Sequence, residues 1–144
     1  MLRRAQERVT EHKLTNIDAL SVMDAERMAL PSQSFDVVVA QFVITAVPHP
    51  EATLDEFVRV TKTGGEIILV NHIGAERGPR RVFEYCFSPI ARRLGWRPEF
   101  PFARLASWAE RHGGVRVLER RALPPTFNFT LIRFEKLAAD EKAA

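Results

Sequence analysis

Four places in the sequence set polar, aromatic or titratable side chains where a fold could use them. Met23-Asp24-Ala25 follows the apolar positions Ile17, Leu20 and Val22. Gln41-Phe42 follows the run Phe35-Asp36-Val37-Val38-Val39-Ala40, and Asn71-His72 follows Glu66-Ile67-Ile68-Leu69-Val70. Tyr85, the only tyrosine, stands in a stretch rich in arginine and aromatic residues. The first three follow strand-like runs, so they fall at strand carboxyl ends, where doubly wound sheets bind ligands. An imidazole at His72 can take a proton from a substrate, although a lone histidine also serves as a structural residue. Asp24 suits a ligand contact and the N-cap of a short helix equally, because both use the same exposed amides. Phe42 has a core reading as good as its functional one, whereas Gln41 is harder to explain by packing. Tyr85 can hydrogen-bond a polar head group or simply pack. Cys86 is the only cysteine, so there is no disulfide framework and no Cys/His metal spacing, and no metal is expected.

The elements that must position these groups follow from periodicity. Leu2, Ala5 and Val9 make one apolar stripe of a helix over Met1 to about Lys13. Asn16–Met23 reads as a short strand, and Leu30-Pro31-Ser32-Gln33-Ser34 as a turn. Phe35–Val43 is a β-branched run of the kind found in strands buried on both faces. Pro48 and Pro50 open a helix whose apolar face is Leu54, Phe57 and Val58. Thr63-Gly64-Gly65 stops it before the strand Glu66–Asn71. Helical pattern broken by four prolines fills 74–112. Val115–Arg121 and Phe127–Phe134 then read as strands joined by Leu123-Pro124-Pro125, a connection too short for a crossover helix, so the pair must be antiparallel. The fold class is α/β: a doubly wound, mostly parallel sheet with a final antiparallel strand. The expected domain is 1–136, with a tail at 137–144.

The chain of 144 residues is 46% hydrophobic and 27% charged, which suits one soluble domain. No apolar stretch approaches the length of a membrane span, and Met1–Arg8 lacks the apolar core of a secretory signal. Cytoplasmic location is the simplest expectation. Net charge is +3, yet eight arginines against four glutamates between His72 and Gly114 give that segment +4 and the remainder −1. Arginine mixed with Phe83, Phe87, Trp96, Phe100, Phe102 and Trp108 suits a helical lid with a solvated outer face, or contact with anionic lipid at a membrane surface. A charge of +4 is modest for a groove that tracks phosphates, and no nucleic-acid partner is expected.

Several pieces, in order, resemble the class I S-adenosylmethionine-dependent methyltransferases: Val22-Met23-Asp24-Ala25-Glu26, Leu30-Pro31, Ser34-Phe35-Asp36-Val37-Val38-Val39, Leu54-Asp55-Glu56-Phe57-Val58-Arg59-Val60 and Gly64-Gly65-Glu66-Ile67-Ile68-Leu69. Gln41–Pro48, Leu69–Ala75, Pro89–Pro98 and Leu131–Lys136 are similar to the bacterial phosphatidylethanolamine N-methyltransferases. The resemblance implies S-adenosylmethionine as cofactor, with Asp24 near the adenine amino group, Met23 and Ala25 flanking the ring, and Gln41 and Phe42 lining the methyl-transfer channel. It implies a phospholipid amine as acceptor and 74–112 as the substrate-determining insertion; His72 and Tyr85 stand as the candidate catalytic residues on their own chemistry. The family's first strand, glycine-rich loop and second strand have no counterpart here; no glycine precedes Gly64. A fragment inactive on its own is therefore the expectation. A methyltransferase for a soluble metabolite or quinone precursor, and a non-catalytic remnant that pairs with another protein, are the alternatives. The resemblance leaves the oligomeric state open.

Overall fold

The computed structural model describes residues 2–73, 100–124 and 129–138. Helix α1 (Leu2–Glu11) ends where Lys13 takes a left-handed φ of 49° and the Leu14 N–H closes onto the Val9 carbonyl, a hydrogen-bonded stop that satisfies the last turn. Its stripe of Leu2, Ala5 and Val9 is half-buried.

Residues 16–23 correct the expectation of a strand. Their backbone is irregular, with only an isolated bridge between Asp24 and Arg27. A strand needs a partner for its amides and carbonyls, and none of the described residues pairs with this segment.

Four strands make one sheet: β1 (Phe35–Gln41), β2 (Thr61–His72), β3 (Val115–Leu123) and β4 (Phe129–Lys136), in the order β1-β2-β4-β3. β1 and β2 are parallel, while β4 runs antiparallel to both β2 and β3. Hence β1, β2 and β3 point the same way, and β4, last in the chain, is inserted against them. Helix α2 (Pro50–Val60) crosses from β1 to β2, and helix α3 (Phe102–His112) precedes β3. The glycine pair does not separate α2 from a later strand. β2 starts directly at Thr61, and residues 62–65 bulge out between the pairs Phe35–Thr61 and Val37–Glu66, with Gly64 at a φ of +74°.

The core lies on one face of the sheet. Ala40, Ile67, Leu69, Ile132 and Phe134 meet Leu54, Phe57 and Val58 of α2 and Leu105, Trp108 and Ala109 of α3. Trp108 sets its ring edge against Phe134, with centroids 5.7 Å apart, and its Nε1–H donates to Asp55 Oδ1 at 2.8 Å. Lys136 donates to the Val58 and Thr61 carbonyls, so β4 caps the open end of α2. Gly113, in the left-handed region, ends α3.

On the opposite face β1 is exposed, against the expectation that it is covered on both sides. Phe35, Val37 and Val39 are 40%, 49% and 59% exposed, because no described element lies over them. The two outer strands also differ. β3 carries Arg116, Glu119, Arg120 and Arg121, whereas β1 has only Asp36 among apolar residues and one glutamine. Charges protect an edge from unwanted pairing, and β1 lacks them.

Ion pairs tie the layers together. Arg104 of α3 grips Glu51 of α2 with two bonds, at 2.6 and 2.7 Å, and Arg133 bridges Glu66 at 2.8 and 2.9 Å and Glu119. The guanidinium hydrogen bonds hold the Glu51 and Glu66 carboxyls below the usual glutamate range. A carboxyl that is easier to ionise when folded adds stability above its unfolded pKa and loses it as pH falls through the folded one. The urea midpoint should therefore hold from neutral pH to about 5 and drop below about 4. Glu51→Gln should lower the neutral plateau and flatten this acid limb.

Candidate active site

The carboxyl ends of β1 and β2 lie side by side because the two strands are parallel and in register, Ala40 with Leu69 and Gln41 with Val70. Just past β1, Phe42 adopts a φ of +58° while its N–H donates to the Val70 carbonyl at 2.9 Å. A bulky residue in this region is uncommon and tends to occur where function fixes the backbone. The turn throws the Phe42 ring across the end of β2, edge-on to Phe129 at 5.0 Å between centroids and 64° between planes. Phe129 is the register partner of His72, and Thr130 that of Asn71. An exposed aromatic pair thus stands at the strand ends beside a buried imidazole.

Strand alternation sends Asn71 to the other face, in line with Ile67 and Leu69. On that face the cross-strand pairs run Ile67–Phe134, Leu69–Ile132 and then Asn71–Thr130, apolar until the carboxyl end and polar there. All six side chains are buried.

The turn carrying Met23, Asp24 and Ala25 is placed by α2. Asp24 Oδ1 accepts the Glu26 N–H at 2.9 Å, so its carboxylate closes its own turn. Glu26 accepts the His49 N–H at 2.9 Å, and its other oxygen lies 2.9 Å from His49 Nδ1; the backbone bond is the main reason the Glu26 carboxyl sits below its ordinary pKa. Farther along, Glu56 accepts the Met28 N–H, and Arg59 donates to the Met28 and Leu30 carbonyls and to Glu56. Met23 and Asp24 are exposed, and Ala25 is half-buried. No hydrogen bond among the described residues joins this turn to Gln41 or Phe42.

The structure therefore gathers Gln41, Phe42 and His72 at one sheet end and sets Met23-Asp24-Ala25 on a separate, braced turn. Tyr85, like residues 74–99 as a whole, lies outside the described residues. Sequence reasoning missed Phe129 and Thr130. The cue was available: an antiparallel last strand beside β2 must start where β2 ends. Among the described residues no group of three metal-binding side chains occurs, and no helix is long and apolar enough to cross a membrane.

Among the described residues, a mixed sheet in the order β1-β2-β4-β3, with its reversed strand inserted, is an α/β fold shared with solved methyltransferase structures. A solved SAM-dependent methyltransferase from Aquifex aeolicus superposes with a TM-score of 0.65 over 95% of this chain and 63% of that one, at 16% identity, a likeness of fold. Residues 1–69 match the family described as a methyltransferase domain. The chain is similar to that methyltransferase family over just under half of its length, a likeness that implies S-adenosylmethionine as cofactor. It is 35% identical over 136 residues to the phosphatidylethanolamine N-methyltransferase of Cereibacter sphaeroides, covering 94% of this chain and 65% of that protein. It is 33% identical over 70 residues to the ubiquinone/menaquinone biosynthesis C-methyltransferase UbiE of Methylococcus capsulatus, covering 49% and 28%. The chain thus spans less than two thirds of the length of either relative.

The described residues fit one end of that cofactor. An exposed carboxylate on a braced turn, between a methionine and a small residue, suits an adenine amino group and ring. The cradle of backbone amides that a glycine-bearing turn would supply for the other end is not found among the described residues ahead of β1.

Proposed function

We propose that this chain serves methyl transfer to the amino head group of a phospholipid, phosphatidylethanolamine first among them. The observation that carries the reading is the Phe42–Phe129 pair beside His72. An amine attacks only through its free lone pair, so a site for it must remove a proton and shed water. Aromatic rings exclude water, and their faces attract the cation that each methylation leaves behind. His72 is the group to receive the proton. The 35% identity to the Cereibacter enzyme, aligned over 94% of the chain, supports the same acceptor class.

In this reading Met23, Asp24 and Ala25 hold the adenosyl end of the cofactor, and Gln41 and Phe42 line the channel to the acceptor. The bound cofactor supplies a methyl group carried on a sulfonium. Tyr85, the only tyrosine, is the candidate to hydrogen-bond the head group. The domain spans 1–136, and the composition of 74–112, rich in arginine and aromatic residues, suits contact with an anionic membrane surface on the cytoplasmic side.

The test supplies the protein with methyl-labelled cofactor and vesicles of phosphatidylethanolamine, in competition with a demethylated quinone precursor. Label in the phospholipid is expected; label in the quinone alone overturns the reading in favour of UbiE-like chemistry. Phe129→Leu keeps the apolar bulk and removes the ring face. It should raise the acceptor KM about two- to thirtyfold, the range of a cation–π contact. Calorimetric titration with S-adenosylhomocysteine separates failure to hold the cofactor from failure to accept the head group.

A further inference from the structure

The turn Met23-Asp24-Ala25 and the β1 end bearing Gln41 and Phe42 share no hydrogen bond among the described residues, yet a cofactor held by both needs them at one spacing. Glu26 supplies a tie between the two segments. Its Oε1 accepts the His49 backbone N–H at 2.9 Å, and its Oε2 lies 2.9 Å from His49 Nδ1. From Phe42 to His49 the chain is stiff. The Ala46 and Val47 N–H groups both close onto the Val43 carbonyl, and Ile44 is fully buried. A grip on His49 is therefore a grip on the segment that leaves β1. The choice of donor is also telling. His49 is the N-cap of α2, and its side chain makes no capping bond. A helix commonly satisfies its N-cap amide with a Glu or Gln at N3. Here N3 is Ala52, and Glu51 is taken by Arg104. A glutamate at position 52 would serve the helix as well; one drawn from the turn also fixes the turn.

We infer, on the adenosyl reading of that turn given above, that Glu26 is a positioning residue: acting through His49, it holds Met23-Asp24-Ala25 at a set distance from Gln41 and Phe42. A ligand that spans two half-sites binds more tightly when their spacing is fixed before it arrives, because less ordering is left to binding. The Glu26 side chain is 20% exposed, so water competes little for its two bonds. Glu56 and Arg59 pin Met28 and Leu30 separately, so loss of Glu26 should free Met23–Arg27 and leave the rest of the connection in place.

The experiment compares the intact chain with Glu26→Ala and Glu26→Gln. Glutamine keeps an oxygen for the His49 N–H and turns an amide N–H toward Nδ1, which accepts it when the ring proton sits on Nε2. Residual dipolar couplings of the Met23–Arg27 amides should fit the same orientation as those of Val37–Gln41 in the unmodified chain, shrink in Glu26→Ala and recover in Glu26→Gln. Calorimetric titration with S-adenosylhomocysteine should show affinity about tenfold weaker in Glu26→Ala, the scale of one charge-assisted hydrogen bond, and largely restored by glutamine. The urea midpoint should stay close to that of the unmodified chain in both variants. Three results overturn the inference: turn couplings unchanged in Glu26→Ala, a glutamine variant no better than alanine, or a urea midpoint that falls in step with affinity. The last would make Glu26 a helix cap and nothing more. An unmodified chain that takes no S-adenosylhomocysteine counts against the adenosyl reading of the turn, and the couplings then decide the positioning by themselves.

Discussion

Replacing Gly65 with alanine is expected to separate β1 from β2. A Cβ at Gly65 would lie 2.6 Å from the Asp36 carbonyl oxygen, 2.8 Å from Thr61 Cγ2 and 2.9 Å from the Lys62 carbonyl oxygen. Two of these three atoms are backbone, which cannot rotate away as a long side chain can. The contact falls at the bulge where the β1–β2 register resumes, between the pairs Phe35–Thr61 and Val37–Glu66. Relief therefore requires the strands to part or the bulge to reshape. Overpacking of this kind costs about 1–3 kcal/mol, and rigid neighbours push it to the upper end. The urea midpoint should fall, and amide exchange should quicken most from Val37 to Gln41, since β1 has no second neighbour in the sheet among the described residues. Exchange that quickens evenly along all four strands would count against a local clash. Gly64→Ala is the useful contrast. Its Cβ would meet nothing within 4 Å, and its cost would come from a φ of +74° alone.

Phe134→Ala should have the larger effect on the chain as a whole. Phe134 is fully buried on β4, faces Ile67 across the strand pair and takes the edge contact of Trp108. Removing the ring empties the place where α3 meets the sheet. Such truncations cost about 3–5 kcal/mol, through lost burial and the cavity left behind. Domains are stable by only about 5–15 kcal/mol, and this one leaves the apolar face of β1 open to water, so the variant should be largely unfolded at room temperature. Circular dichroism and the urea midpoint would check it. Phe134→Leu, which refills most of the volume, should recover about half of the loss or more.

Much of the scaffold was legible because its causes are local. The β-branched run Phe35–Ala40 and the run Ile67–Val70 are strands in any context that pairs them. Pro50 with Leu54, Phe57 and Val58 carries both the start signal and the buried face of α2. The antiparallel final pair followed from the short connection after Leu123. What was not legible depends on partners. Ile17, Leu20 and Val22 have a strand's composition, yet a strand exists only where another backbone accepts its hydrogen bonds. Val37 and Val39 are core residues by type and surface residues in fact, because exposure is decided by what lies over them.

The candidate site divides in the same way. Gln41, Phe42 and His72 were found from the rule that strand carboxyl ends bind ligands, and the structure does bring them to one end of the sheet. Phe129 and Thr130 were missed because their neighbours come from register, with β4 inserted beside β2 from more than fifty residues away in the chain. Asp24 was read two ways. The structure shows its turn-closing bond to Glu26 N–H, and the ligand role stays with the proposal.

The insertion of β4 also sets a clock. β2 and β3 are not neighbours and meet only through β4, which is made after both. As the chain leaves a ribosome at roughly 5–20 residues per second, β2 waits several seconds with one side unpaired until Phe129 and its successors arrive. During that interval Ile67 and Leu69 lack Phe134 and Ile132, α2 lacks the lysine that caps it, and β3 has nothing to bind. The final short strand therefore turns a loose β1–α2–β2 unit into a closed core. Pulling on the carboxyl terminus would withdraw that keystone first, so the protein should yield to force from that end in a single step.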